Sequence, residues 1–184
     1  MQARVALREA TADCHDRVDA AFSVARLDDS ADYGRFLQAQ AAAFIPCELA
    51  LDRSGADAVL PDWSARRRAD LLTADLGDLG MELPAMPDIS PFIGEPAMLG
   101  AVYVLEGSRL GGAMLKRSVQ PGLPTRFLSA GPSIAWRNLI HLLDERLTSE
   151  ASILAAIDAA RSVFSLFESS GSRYLTRSEL GGRS

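Results

Sequence analysis

The chemistry open to this sequence starts from one histidine and the cations spaced around it. His15 lies at the border of an apolar stripe made by Leu7, Ala10, Cys14, Val18, Ala21 and Phe22, which recur at helical spacing. Arg8 precedes it by seven residues, about 20° around a helix and roughly 10 Å along its axis. A ring nitrogen and a guanidinium would then point into one groove. That separation suits a porphyrin, whose central iron and peripheral propionates are comparably far apart. The plainer alternative is a packed histidine, and Phe22 on the same edge reads first as core. Arg137 and His141, four residues apart, share one helix face. They could meet carboxylates or simply be solvated.

The second feature is a run of glycines in an otherwise apolar helical segment, Gly100-Ala-Val-Tyr-Val-Leu-Glu-Gly107-Ser-Arg-Leu-Gly111-Gly112. Each glycine inside a helix is unfavourable by roughly 1 kcal/mol relative to alanine, so the pattern needs a reason. Gly107 and Gly111 lie about 40° apart with Gly100 between them, which makes one bare stripe down a helix face. Something flat or bulky could approach that backbone, or another helix could pack tightly on it.

Other chemistries are poorly supported. With His15 and His141 as the only histidines, and Cys14 and Cys47 far apart, no spacing suits structural zinc. Gly107-Ser108-Arg-Leu-Gly111 is not a nucleophile elbow, and Gly107 to Lys116 lacks the phosphate-loop spacing. The stretch from Ala101 to Leu105 could pass for a strand feeding a glycine-rich loop, but no other strand-helix unit supports it.

The elements that must position these residues are helical almost throughout. The spacing predicts a first helix ending near Phe22, a second capped by Ser30 and Asp32 and running past Pro46, and a third from Ser64 to Leu79. Pro84 to Pro91 reads as a loop before the glycine-rich helix. Pro121 to Pro124 makes another, followed by helices over Ser133 to Leu147 and Glu150 to Ser169. The expected fold class is all-α, one domain over residues 1–180 with a frayed tail at 181–184. The 184 residues, 48% of them hydrophobic, are enough for one buried core. A net charge of −5 with scattered basic residues argues against nucleic acid or an anionic membrane surface as partner. The apolar runs are far shorter than the roughly 20 residues of a membrane span. With no targeting segment and no disulfide framework, the expected location is the cytoplasm.

Two of these motifs carry a family resemblance. Leu7-Arg-Glu-Ala-Thr-Ala-Asp-Cys-His15 resembles the proximal helix of bacterial biliverdin-producing heme oxygenases, and Tyr103-Val-Leu-Glu-Gly107-Ser-Arg-Leu-Gly111-Gly112 resembles their distal helix. The likeness extends loosely over residues 5–170. It implies a heme oxygenase-like helical bundle and an enzyme that binds heme b as both substrate and cofactor. His15 would be the iron ligand, with its orienting partner among Glu9, Asp16 and Asp19. Gly107, Ser108 and Gly111 would form the catalytic distal face beside Gly112. Arg8, Arg137 and His141 would hold the propionates, and Phe167 would be a distal-side aromatic. Arginine is more usual at position 141, and a histidine holds a carboxylate less firmly at neutral pH. Many relatives carry aspartate where this chain has Ser108, whereas the bacteriophytochrome-associated branch resembles it in having serine. The resemblance further implies cleavage of heme by O₂ and electrons to biliverdin, CO and Fe²⁺. With no flavin or nicotinamide motif in the chain, an external electron donor, a ferredoxin or another reductase, would supply the electrons, and a bacteriophytochrome is a conceivable acceptor of the product. The competing expectation is a non-catalytic heme or bilin binder, a carrier or sensor, on the same scaffold.

Overall fold

A computed structural model describes residues 2–129 and 134–175. Among these every regular element is a helix. They run α1 (Ala3–Ala10), α2 (Ala12–Phe22), α3 (Ser30–Ser54), α4 (Ala56–Val59), α5 (Trp63–Arg66), α6 (Ala69–Asp78), α7 (Gly94–Lys116), α8 (Arg126–Ser129), α9 (Ile134–Arg146) and α10 (Glu150–Leu175). The chain is all-α, as its periodicity predicts. The expected tail at 181–184, and Ser133 as a helix start, lie outside the described residues.

Helix α10 is the spine, packed along α7, α3 and α2 and touching α1. Its apolar positions, among them Ala156, Ala160, Val163, Phe164 and Phe167, are buried in the common core. At Gly171 an added Cβ would stand 2.8 Å from the Phe22 ring, so a bare backbone lets α2 close on α10 there. Helix α10 runs on to Leu175, beyond the end expected at Ser169.

Several boundaries differ from the expected ones for local reasons. The single first helix is two, meeting at Thr11, whose φ of −116° leaves the helical region. Its hydroxyl donates to the Leu7 carbonyl alongside its own backbone N–H, a side-chain bond open to threonine. The cap of α3 is Asp29, which accepts from the Asp32 N–H, rather than Ser30 or Asp32. Pro46 lies inside α3 without ending it.

The helix expected over Ser64 to Leu79 breaks at Arg67 and Arg68. There the buried Glu48 carboxylate of α3 accepts the backbone N–H groups of Arg68 and Ala69, and so caps α6 from another helix. A buried Asp75 does the same for α8, accepting from the N–H groups of Arg126 and Phe127. Among the described residues no helix is long and apolar enough to cross a membrane.

Candidate functional site

The glycines of α7 divide into packing and open positions. At Gly100 an added Cβ would sit 2.1 Å from the Ala156 carbonyl oxygen, so this glycine is where α7 crosses α10. Gly112 faces α8, with a Cβ 3.2 Å from the Leu128 carbonyl oxygen. Gly107 and Gly111 continue the Gly100 stripe beyond the crossing. A Cβ on Gly107 would meet only the rim of the Trp136 ring, at 3.7 Å, and one on Gly111 nothing within 4 Å. Beside them Leu110 and Met114 are 46% and 73% exposed, which leaves an uncovered apolar face.

Helices α2 and α7 each lean on α10 yet hardly touch one another. On α2, His15 is exposed, and its ring stands edge-on to Phe164 of α10 at 6.2 Å. Its Nδ1 lies 3.2 Å from Asp19 Oδ2, one turn further along. An N–H at Nδ1 directed at that carboxylate leaves Nε2 with the lone pair, the usual arrangement behind a metal-bound imidazole. Of the three acidic candidates in the sequence, Asp19 is the one paired with the ring.

These observations fit heme. One imidazole nitrogen is available on the α2 side, and the α7 side offers bare backbone at Gly107 and Gly111 flanked by apolar side chains. Among the described residues no cluster of His, Cys, Asp or Glu could hold a separate metal ion.

Behind Ser108 stands a charged network that the sequence reading missed. Arg68 is 2% exposed, its guanidinium lying over the rings of Phe44 and Phe127 at 4.6 and 4.8 Å. Its Nη2 donates to Ser108 Oγ at 2.7 Å and to the Leu105 carbonyl at 2.6 Å. Burial, with the Arg109 charge nearby, pulls Arg68 down to about 9, against the pull of Glu106 and Glu48. It therefore stays charged at neutral pH. Glu106 pairs with Arg109 at 3.0 Å and with Arg66 at 3.4 Å, and Arg109 donates to the Arg66 carbonyl. Burial pushes Glu48 above the ordinary carboxylate range, opposed by the two N–H groups it accepts. The available signal was Glu48 and Glu106 standing in apolar helical runs, together with three consecutive arginines inside a presumed helix.

The remaining candidates are dispersed. Arg137 and His141 are exposed and line a cleft of about 520 Å³ with Gln2, Arg4, Trp136, Ile140 and Asp144. Trp136 joins this cleft to the α7 face, since its ring packs against Tyr103 at 5.8 Å as well as over Gly107. Arg8 is exposed near Tyr103, whose phenol burial pushes up, opposed by a hydrogen bond with Thr11 and, less, by the Arg8 charge. Phe167 is buried in the core against Phe44, at 6.4 Å, rather than on the open face.

Comparison with known proteins bears on the fold and the family. No family model matches the sequence. The heme oxygenase of Xanthomonas campestris pv. campestris (strain 8004) is 36% identical over 112 residues, covering 57% of this chain and 67% of that protein. The NO- and CO-bound heme oxygenase from Neisseria meningitidis superposes with a TM-score of 0.81 at 23% identity, over 98% of this chain and 96% of that one. Heme oxygenase from Leptospira interrogans gives 0.72 at 20% identity, over 94% and 100%. The two structural likenesses establish the all-α fold, and the sequence relative establishes kinship. The chain is an enzyme of the heme oxygenase family.

Proposed function

We propose that this protein cleaves heme b with O₂ and externally supplied electrons to biliverdin, CO and Fe²⁺. The observation that carries the reading is the pairing of His15 with Asp19 on α2, set apart from the bare Gly107 and Gly111 face of α7. Heme, the substrate, brings the iron at which O₂ is activated. His15 Nε2 binds that iron, and Asp19 holds the ring in the required orientation. Gly107 and Gly111 bring backbone close to the other side and offer no side-chain ligand. Leu110 and Met114 give that side an exposed apolar surface for the macrocycle to cover. Arg8 beside Tyr103, and Arg137 and His141 in the cleft beyond Trp136, would hold the propionates. Ser108 in place of a carboxylate supports membership of the bacteriophytochrome-associated branch, with a bacteriophytochrome receiving the biliverdin. A ferredoxin or other reductase in the cytoplasm would donate the electrons.

The same serine keeps a second reading open, a heme or bilin carrier without turnover. Hemin added to the purified protein, followed by a surrogate reductase under O₂, separates the two by absorbance. Loss of the heme spectrum with appearance of biliverdin supports catalysis, and a stable heme complex under reductant supports the carrier.

A further inference from the structure

Ser108 is exposed, yet its hydroxyl is already committed. A hydroxyl has one proton and two lone pairs. Its proton goes to the Leu105 carbonyl at 2.6 Å, because a carbonyl can only accept. One lone pair takes a proton from Arg68 Nη2 at 2.7 Å, because a guanidinium can only donate. The same Nη2 also bonds the Leu105 carbonyl, so three atoms on two helical segments close a triangle. What Ser108 has left is a single lone pair.

We propose that Arg68 is a positioning residue that locks the Ser108 hydroxyl as a hydrogen-bond acceptor, so that the open face of α7 receives a donor such as water where a carboxylate would otherwise serve. A serine unattended by arginine could turn and donate instead, and would then select no particular partner. Arg68 is held for this task from two sides: Glu48 accepts its backbone N–H, and two phenyl rings flank its guanidinium. Its Nε is buried with no hydrogen-bond partner among the described residues. The proposal rests on the reading that this face lies against heme.

The first test needs no heme. In ¹⁵N-arginine-labelled protein, the Arg68 Nη protons, assigned by their loss in Arg68→Lys, should exchange slowly. They should shift in Ser108→Ala and return toward their original position in Ser108→Thr. An Arg68 signal indifferent to Ser108→Ala overturns the proposal.

The second test is a cycle of heme turnover rates with Arg68→Met and Ser108→Ala. Each single variant should lose about threefold to tenfold, the worth of one ordinary hydrogen bond. The double variant should be no slower than Ser108→Ala, and Arg68→Lys should recover part of the loss. Losses that multiply would mean that Arg68 acts independently of the serine, and would overturn the proposal. If Arg68→Met does not fold, the heme-free arm decides, since Ser108→Ala keeps the buried arginine. Absence of turnover in the unaltered protein would instead sink the heme-cleaving reading, with the first test still standing.

Discussion

His15 and Asp19 are both well exposed, so their ion pair by itself adds little to stability. Its value is orientation. If His15 holds the heme iron as proposed, His15→Ala should change the spectrum of the ferric complex while leaving the helices intact, and added imidazole should restore it. An unchanged visible spectrum in His15→Ala would withdraw the ligand assignment. On the opposite side, Gly111→Leu should place a side chain on the open face and block turnover while heme still binds. Ser108→Ala should only slow it. Biliverdin formed per heme under a surrogate reductase makes the comparison, and full activity in Gly111→Leu would reduce the open glycines to helix packing. The edge position of His15 and the stripe shared by Gly107 and Gly111 were legible as positions because spacing along a single helix places them. Arg68 was not, because its meaning lies 40 residues away at Ser108 and 20 residues away at Glu48. In the sequence it is one of three arginines that look solvated.

A helical wheel records which way a residue faces but not where another helix crosses. For that reason the stripe of Gly100, Gly107 and Gly111 reads as one feature and serves two purposes. The consequence is a difference in sign. Gly111→Ala should gain up to about 1 kcal/mol in urea denaturation, the ordinary helix preference for alanine, because its Cβ meets nothing. Gly100→Ala should lose about 1 to 3 kcal/mol, because its Cβ lands on the Ala156 carbonyl and the two backbones must part. Equal effects at the two positions would contradict the division of the stripe. The break before α6 has the same origin in tertiary contact. Local propensity continues a helix through Arg67 and Arg68, but Glu48 accepts the two backbone donors and fixes the start of α6 instead. Glu48→Ala would leave both N–H groups buried, at about 1 to 3 kcal/mol each.

Because α2 and α7 hardly touch, α2 depends on α10 for its hold on the molecule, while α3 is embedded in the core. The two cysteines report on these regions separately. Cys47 in α3 is fully buried and its thiol is pushed up to about 12 by that burial, so it should react with a thiol reagent only through global unfolding. Cys14 in α2 is also buried, but the Arg17 guanidinium lies 3.3 Å from its sulfur and one side of its helix faces outward. Undocking of α2 alone would expose it. At pH 8, Cys14 should therefore be labelled faster than Cys47. A ligand that binds only the folded state stabilises it by about 2.7 kcal/mol at a hundredfold excess over its Kd, or roughly 5 to 11 °C in Tm for a chain of this size. Hemin should raise Tm by that order and slow both cysteines. If His15 ligates the iron as proposed, the larger factor should fall on Cys14, next to His15, because heme would then tie α2 to the rest of the molecule. In His15→Ala the extra protection of Cys14 should vanish while a smaller Tm shift remains. Equal slowing of both thiols in that variant and in the unaltered protein would show that heme binds without tying α2 down.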